Sequence, residues 1–254
     1  MSKPSKFVWH DVMTTAMKAA EVFYANVVGW RMQDAGMPDG GYTLLMDGEK
    51  MAGGLMPIPD DARAMGVPPA WMGYIGVENA DAKAKEIVDA GGKIHRPPQD
   101  IPGVGRFAVA ADPFGAGFMI FQGNGEPDAG PVPFMTPKHI GWNELHGGDL
   151  EASFAFYAKL FGWTKGEAHD MGGMIYQTFH TGDGHATGGM MKAMEGVPPH
   201  WAYYISVADF DAAVDRAVAG GGKKLMEPMQ VPGEAWICPL QDPQGAHFSL
   251  IGMR

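Results

Sequence analysis

Apolar and polar positions change period along this chain at regular intervals, and the changes mark out four similar blocks. The first block opens with a strand predicted over 7–13. Thr14 and Thr15 then offer side-chain oxygens to cap a helix. In that helix Ala20, Phe23, Tyr24 and Val27 recur at helical spacing, and Gly29 is its natural stop. Strands over 42–46 and 51–56 flank Asp47-Gly48, a hairpin signal. A Pro/Gly-rich connection runs from Pro57 to Pro69. The pattern then restarts with a strand at 71–77, an amphipathic helix at 80–90 ended by Gly91-Gly92, and strands near 93–96, 105–111 and 117–122. After a stretch rich in Gly and Pro, the plan returns with a strand at 140–145, a helix at 150–161, and strands at 174–180 and 186–192. It closes with a strand at 201–207, a helix at 209–219, and strands at 223–226, 235–240 and 246–251. Each half therefore reads as two βαβββ units. The helices are expected to cover one face of each curved sheet and to leave the other free to line a cleft.

The halves repeat in letters as well as in pattern. Trp9-His10-Asp11-Val12, Phe23-Tyr24 and Gly29-Trp30 return as Trp142-Asn143-Glu144-Leu145, Phe156-Tyr157 and Gly162-Trp163, an offset of 133 residues. Pro68-Pro69-Ala70-Trp71 returns as Pro198-Pro199-His200-Trp201, and Asp112-Pro113-Phe114-Gly115-Ala116 as Asp242-Pro243-Gln244-Gly245-Ala246, both offset by 130. So small a drift implies a duplicated domain, with the slack taken up in a loop. The expected boundaries are 1–123, a linker at 124–137, and 138–254. Positions that differ between the copies then compare one function with another.

Composition narrows the partners. The net charge is −10 and no Lys/Arg cluster stands out, which argues against nucleic acid and anionic membrane surfaces. No apolar run approaches the ~18 residues of a membrane span, and the first residues lead into a strand without an apolar signal segment. A single cysteine, Cys238, excludes an internal disulfide and a multi-Cys metal site. A reduced, cytoplasmic protein is the expectation. The 37 glycines suit many tight turns, and the 20 methionines offer adaptable apolar surface for core or pocket.

Taken together, the strand-one motif, the Phe-Tyr and Gly-Trp of the helix, the Pro-Pro-x-Trp strand and the Asp-Pro-x-Gly-Ala turn resemble the vicinal oxygen chelate superfamily. That superfamily includes glyoxalase I, bleomycin- and fosfomycin-resistance proteins and extradiol dioxygenases. The Trp-x-(Asp/Glu)-(Val/Leu) opening of both halves resembles its tandem glyoxalase-like branch. The resemblance spans nearly the whole chain. It implies an α+β fold of two glyoxalase-like domains, each of two βαβββ units whose curved mixed sheets form a cup. It also implies a divalent metal held by His, Gln or Glu from three strands, with positions open for two substrate oxygens. The first ligand position holds Trp9 and Trp142, whose indoles have no lone pair to give. The second holds Ala70 in one half and His200, in His200-Trp201-Ala202-Tyr203, in the other. The third holds Met119 and Ser249. One ligand of three in one half and none in the other does not make a metal site. His200 is the only candidate ligand, and no cofactor is expected unless water or a second-half site completes the set.

The candidate site residues follow from these positions. Trp9 and Trp142 either wall an aromatic pocket or plug it. Asp11 and Glu144 lie two residues further on and share their face. Each serves as a general base or anchor, or as a structural hydrogen-bond partner. Met119 and Ser249 complete the expected ligand-binding set. His200 and His247 break the symmetry, because their counterparts are Ala70 and Gly117. With Glu144 they are the expected catalytic group if one cup works. His10, His95, His139, His146, His169, His180 and His185 are read as solvated or structural, and Cys238 as a buried thiol. Met171-Gly172-Gly173-Met174 and Gly188-Gly189-Met190-Met191 read as turns, core or pocket-lining loops. Two functions stay open. One is a glyoxalase-like enzyme, such as a lyase, acting on a small carbonyl or oxygenated metabolite. The other is a metal-free small-molecule binding or sequestering protein of the bleomycin-resistance type. The expected assembly is a monomer with pseudo-two-fold halves, or a homodimer.

Overall fold

The computed structural model describes residues 4–37, 41–125, 133–182 and 184–254. Strand β1 (Phe7–Thr14) leads into helix α1 (Met17–Val28), then β2 (Arg31–Asp34), β3 (Thr43–Asp47), β4 (Lys50–Pro57) and the short helix α2 (Asp60–Ala64). The second block is β5 (Ala70–Gly76), α3 (Ala80–Asp89), β6 (Lys93–Ile101), β7 (Gly105–Ala111) and β8 (Gly117–Gly123). The third is β9 (Ile140–Gly147), α4 (Leu150–Phe161), β10 (Thr164–Asp170), β11 (Ile175–His180) and β12 (Gly188–Lys192). The fourth is β13 (His200–Ser206), α5 (Phe210–Ala219), β14 (Lys223–Lys224), β15 (Met229–Gln230), β16 (Trp236–Gln241) and β17 (His247–Gly252). The expected linker at 124–137 and the connection between the strands expected at 174–180 and 186–192 fall partly outside the described residues. No helix among the described residues is long and apolar enough to cross a membrane.

The strands form two mixed sheets, ordered β2-β3-β4-β1-β5-β8-β7-β6 and β10-β11-β12-β9-β13-β17-β16-β14, with β15 paired to β16. In each block the first strand runs parallel to the last, as in β1 with β4 and β13 with β17, while the hairpin strands between run antiparallel. This is the expected α+β class.

The longer helices form where the apolar spacing placed them. Helix α1 buries Ala20, Phe23, Tyr24, Val27 and Val28 and ends at Gly29, whose φ of 82° is left-handed and costs a glycine little. Its start corrects the expected cap. Thr14 ends β1, and its hydroxyl accepts from the Ala16 N–H, so Ala16 takes the N-cap position without a side-chain cap. Asn79, Asp149 and Asp209 do cap α3, α4 and α5 through their side-chain oxygens.

Two compact units emerge, and each draws on both sequence halves. One gathers residues up to Val8, the stretch beginning at Gly73 that carries α3 and β6–β8, and Trp142–Ala202. The other gathers Trp9–Met72, the approach to β9 as far as Gly141, and Tyr203–Arg254.

In the second unit Tyr24 of α1 is fully buried and donates to Asp242 at 2.9 Å, while the Trp71 indole donates to the Tyr24 hydroxyl at 2.9 Å. Asp242 also accepts the backbone N–H groups of Gln244, Gly245 and Ala246. The first unit repeats this with Tyr157, Asp112 and Trp201. Burial, outweighing these hydrogen bonds, raises the Asp112 carboxyl above its ordinary range. The most audible repeats in the sequence are thus the polar pins of two aromatic cores.

Candidate functional site

Strand β1 runs parallel to β4 with Asp11 opposite Gly54, and β9 runs parallel to β12 with Glu144 opposite Gly189. Both glycines are positions where a side chain would collide. A Cβ on Gly54 would overlap the Tyr42 hydroxyl and the Asp11 carboxylate, and one on Gly189 would overlap the Tyr176 ring. The bare backbone makes room for a tyrosine to lean across it toward a carboxylate.

In the first half Asp11 is 1% exposed. Its Oδ1 accepts the Tyr42 hydroxyl at 2.6 Å and the Trp9 indole N–H at 2.7 Å, and the same N–H lies 2.7 Å from the Tyr42 oxygen. Burial, and then the Asp11 charge, push the Tyr42 phenol above its ordinary range, so it stays a proton donor. A buried carboxylate is tolerated because it is hydrogen-bonded.

The second half keeps this core and adds to it. Tyr176 donates to Glu144 Oε2 at 2.8 Å, and the Trp142 indole donates to the Tyr176 oxygen at 2.7 Å. The other Glu144 oxygen, Oε1, lies 2.9 Å from His146 Nε2. The His146 ring stacks on His200, with centroids 4.6 Å apart and planes 3° from parallel. His200 Nδ1 lies 2.9 Å from the Pro198 carbonyl. The first half carries Met13 and Ala70 where the second carries His146 and His200.

The structure thus brings Trp142, Glu144 and His200 into one cluster, and Trp9 and Asp11 into another. His247 lies in the other compact unit from His200, is exposed, and bonds Gln241 at 3.1 Å. Met119 is buried on β8, opposite Tyr74 and Val109, in the unit of Trp142. Ser249 is buried on β17, opposite Tyr204 and Pro239, in the unit of Trp9. Gly188–Lys192 is strand β12, and its Gly189 leaves the room that Tyr176 fills. Burial pushes the Cys238 thiol up to about 11, which removes it as a thiolate nucleophile.

Neither Tyr42 nor Tyr176 is among the residues singled out from the sequence, and His146 is read there as solvated or structural. The tyrosines recur at an offset of 134, and the pairs Gly53-Gly54 and Gly188-Gly189 at 135, so a quieter repeat was present. His146 follows Glu144 by two residues. The alternation that joins Trp142 to Glu144 joins His146 as well.

The donor set does not fit a divalent ion. Both Glu144 oxygens already accept hydrogen bonds, from Tyr176 and His146. The two stacked imidazoles carry their lone pairs in parallel planes, so these do not converge on one ion about 2 Å from each nitrogen. Among the described residues no group of three or more His, Cys, Asp and Glu side chains is arranged to hold a metal.

Comparison with known proteins adds a family. The model of the Glyoxalase/Bleomycin resistance protein/Dioxygenase superfamily matches residues 6–120 and again 138–250. The chain is 35% identical over 246 residues to the protein of Mycobacterium tuberculosis (strain CDC 1551 / Oshkosh) named "Putative glyoxylase CFP32", covering 96% of this chain and 93% of that one. It is 31% identical over 263 residues to "Anthracycline biosynthesis protein DnrV" of Streptomyces peucetius, covering 99% and 94%. In fold it is similar to the Mn(II)-bound glyoxalase of Novosphingobium aromaticivorans, with a TM-score of 0.67 at 16% identity, covering 99% of this chain and 83% of that one.

Proposed function

The chain belongs to the Glyoxalase/Bleomycin resistance protein/Dioxygenase superfamily, and from that premise we propose that it binds and transforms a small oxygenated organic molecule with its own side chains rather than a chelated metal. The observation that carries this is the Trp142–Tyr176–Glu144–His146 chain capped by His200, which replaces the ligand set of the fold with hydrogen-bonding and titratable groups. The indole supplies a flat apolar wall, and the hydroxyl and imidazole supply polar contacts beside it. A planar aromatic carbonyl compound suits that combination. The name of the anthracycline-biosynthesis relative supports the same ligand class.

A second reading rests on the first-half cluster. Trp9, Asp11 and Tyr42 offer the wall and the hydrogen bonds, but Met13 and Ala70 offer no group that transfers a proton near neutral pH. That half is proposed to bind without turnover. The buried single thiol suits a reducing compartment, and the cytoplasm is the location we propose.

The test is a fluorescence titration with 2-tetralone, a cyclic ketone fused to a flat benzene ring, alongside elemental analysis of the protein as purified. Saturable quenching, reduced by Trp142→Phe, is the expected result, with no stoichiometric metal. Stoichiometric metal lost in His200→Ala would sink the metal-free reading. A ketone that changes neither fluorescence nor melting temperature would sink the choice of ligand class.

A further inference from the structure

We propose that His146 is a catalytic general base acting through Nδ1, and that it removes a proton from the carbon next to the carbonyl of a bound ketone. This rests on the reading of the second-half cluster as a small-molecule site.

The argument begins with the tautomer. An ionised carboxylate only accepts hydrogen bonds, so the 2.9 Å contact from Glu144 Oε1 places a hydrogen on His146 Nε2. In the neutral ring that leaves the lone pair on Nδ1. Among the described residues, the hydrogen-bond and ring contacts of the His146 side chain are the bond to Glu144 and the stack on His200. Its Nδ1 therefore holds a lone pair that no described residue uses, on a side chain 17% exposed.

The surroundings hold that ring in place. Tyr176 fixes the far oxygen of Glu144, and Trp142 fixes Tyr176 in turn. His200 lies flat against the imidazole, and its own orientation is set by the Pro198 carbonyl, which requires the hydrogen on His200 Nδ1. A carboxylate behind an imidazole orients it and stabilises the cation that forms when it takes a proton.

The duplicated half is the internal control. It keeps the tryptophan, the carboxylate, the tyrosine and the strand glycine, yet has Met13 and Ala70 in place of the two histidines. The scaffold is built without the histidine pair, so the pair is an addition to one site and not a requirement of the fold.

The step balances without an external oxidant or reductant. The Nδ1 lone pair takes the proton and the C–H bonding pair becomes the carbon–carbon double bond. The carbonyl π pair moves to oxygen, giving an enolate beside an imidazolium held by Glu144. Return of a proton to carbon restores both partners. In heavy water the returning particle is a deuteron.

Two measurements test this. The first needs no ligand. Nitrogen-15 NMR of wild type should find the His146 hydrogen on Nε2, and Glu144→Gln, whose amide can donate to that nitrogen, should move it to Nδ1. A wild-type hydrogen on Nδ1 overturns the proposal. The second follows loss of the C1 proton signal of 2-tetralone in heavy water. Wild type should accelerate exchange over buffer. His146→Met, which copies the residue at the equivalent first-half position, should lose that acceleration by about 100-fold or more at a 2-tetralone concentration that saturates the variant's own quenching curve. Glu144→Gln should lose it with His146 still present. Quenching without exchange in wild type, or exchange at the wild-type rate in His146→Met, overturns the base. Absence of quenching by 2-tetralone, with the hydrogen on Nε2, overturns the ligand reading instead.

Discussion

Two glycines decide whether a tyrosine reaches the buried carboxylates of Asp11 and Glu144. Gly54 and Gly189 sit opposite Asp11 and Glu144 in parallel strands, and each leaves room for a tyrosine that a methyl group would displace. Gly189→Ala is therefore expected to push the Tyr176 ring away from Glu144. The cost should be about 1–3 kcal/mol, because overpacking is added to a buried acceptor left short of a donor. Gly54→Ala should do the same to Tyr42 and Asp11. The measurement is the urea midpoint of each variant, with the slope checked for constancy. Wild-type midpoints in both would mean that the strands move aside freely and that the tyrosine contacts are loose. A Gly189→Ala variant that folds should also lose quenching by 2-tetralone, since Trp142 is held through the Tyr176 oxygen.

The entry to β9 carries a titration that belongs to the element rather than to the site. His139 is buried beside Asp47, whose carboxylate lies 3.8 Å from Nε2 and also meets Lys138 at 3.2 Å. Burial holds the His139 imidazole below its ordinary value of 6.5; Asp47 opposes this and Lys50 reinforces it. A depressed histidine means that the unfolded chain binds the proton first. Its contribution to stability is complete above pH 6.5, falls as the pH drops through that value, and levels off below the folded one. Between about pH 7 and 5 the melting temperature of wild type should fall more than that of His139→Gln. Parallel curves would place the acid sensitivity elsewhere. Elements of this kind differ in how plainly the sequence announces them. Tyr24, Trp71 and Asp242 recur in both halves because two aromatic cores hang on them, and their letters were enough to predict the fold. Strands β2 and β10 went unpredicted because they are edge strands of largely exposed residues, without the alternation that burial on one face imposes. The site was only half legible, since Glu144 and Trp142 stand inside the repeated motif whereas His146 departs from it. Its partners Tyr176 and His200 come from strands whose convergence no local pattern reveals.

At the scale of the molecule, the duplication by sequence and the compact units by contact do not coincide. Helix α1 of the first half packs on α5 of the second, and Arg216 of α5 donates to the Asn26 and Val27 carbonyls at the end of α1. Helix α3 of the first half packs on α4 of the second, where Lys83 reaches the Leu160 carbonyl. Tyr24 finds its acceptor in Asp242, and Tyr157 finds its own in Asp112. Residues 1–123, which we propose as one duplicated half, therefore contain Tyr24 without Asp242 and Asp112 without Tyr157. The missing partners are homologous to ones the fragment itself possesses, since Tyr24 corresponds to Tyr157 and Asp112 to Asp242. Two copies of the fragment could each supply the other, Tyr24 of one bonding Asp112 of the next in both directions, as a two-fold interface requires. A single copy would uncover the part of α1 that meets α5, and would leave the Tyr24 hydroxyl without its carboxylate acceptor and Asp112 without its tyrosine donor, at about 1–3 kcal/mol for each unmade bond. The fragment is thus expected to sediment as a dimer whose melting temperature rises with concentration. Tyr24→Phe should weaken the dimer. A fragment 1–123 that melts cooperatively as a monomer, independent of concentration, would show that the half closes its own core and that the interleaving of the halves is a result of fusion rather than a condition of folding.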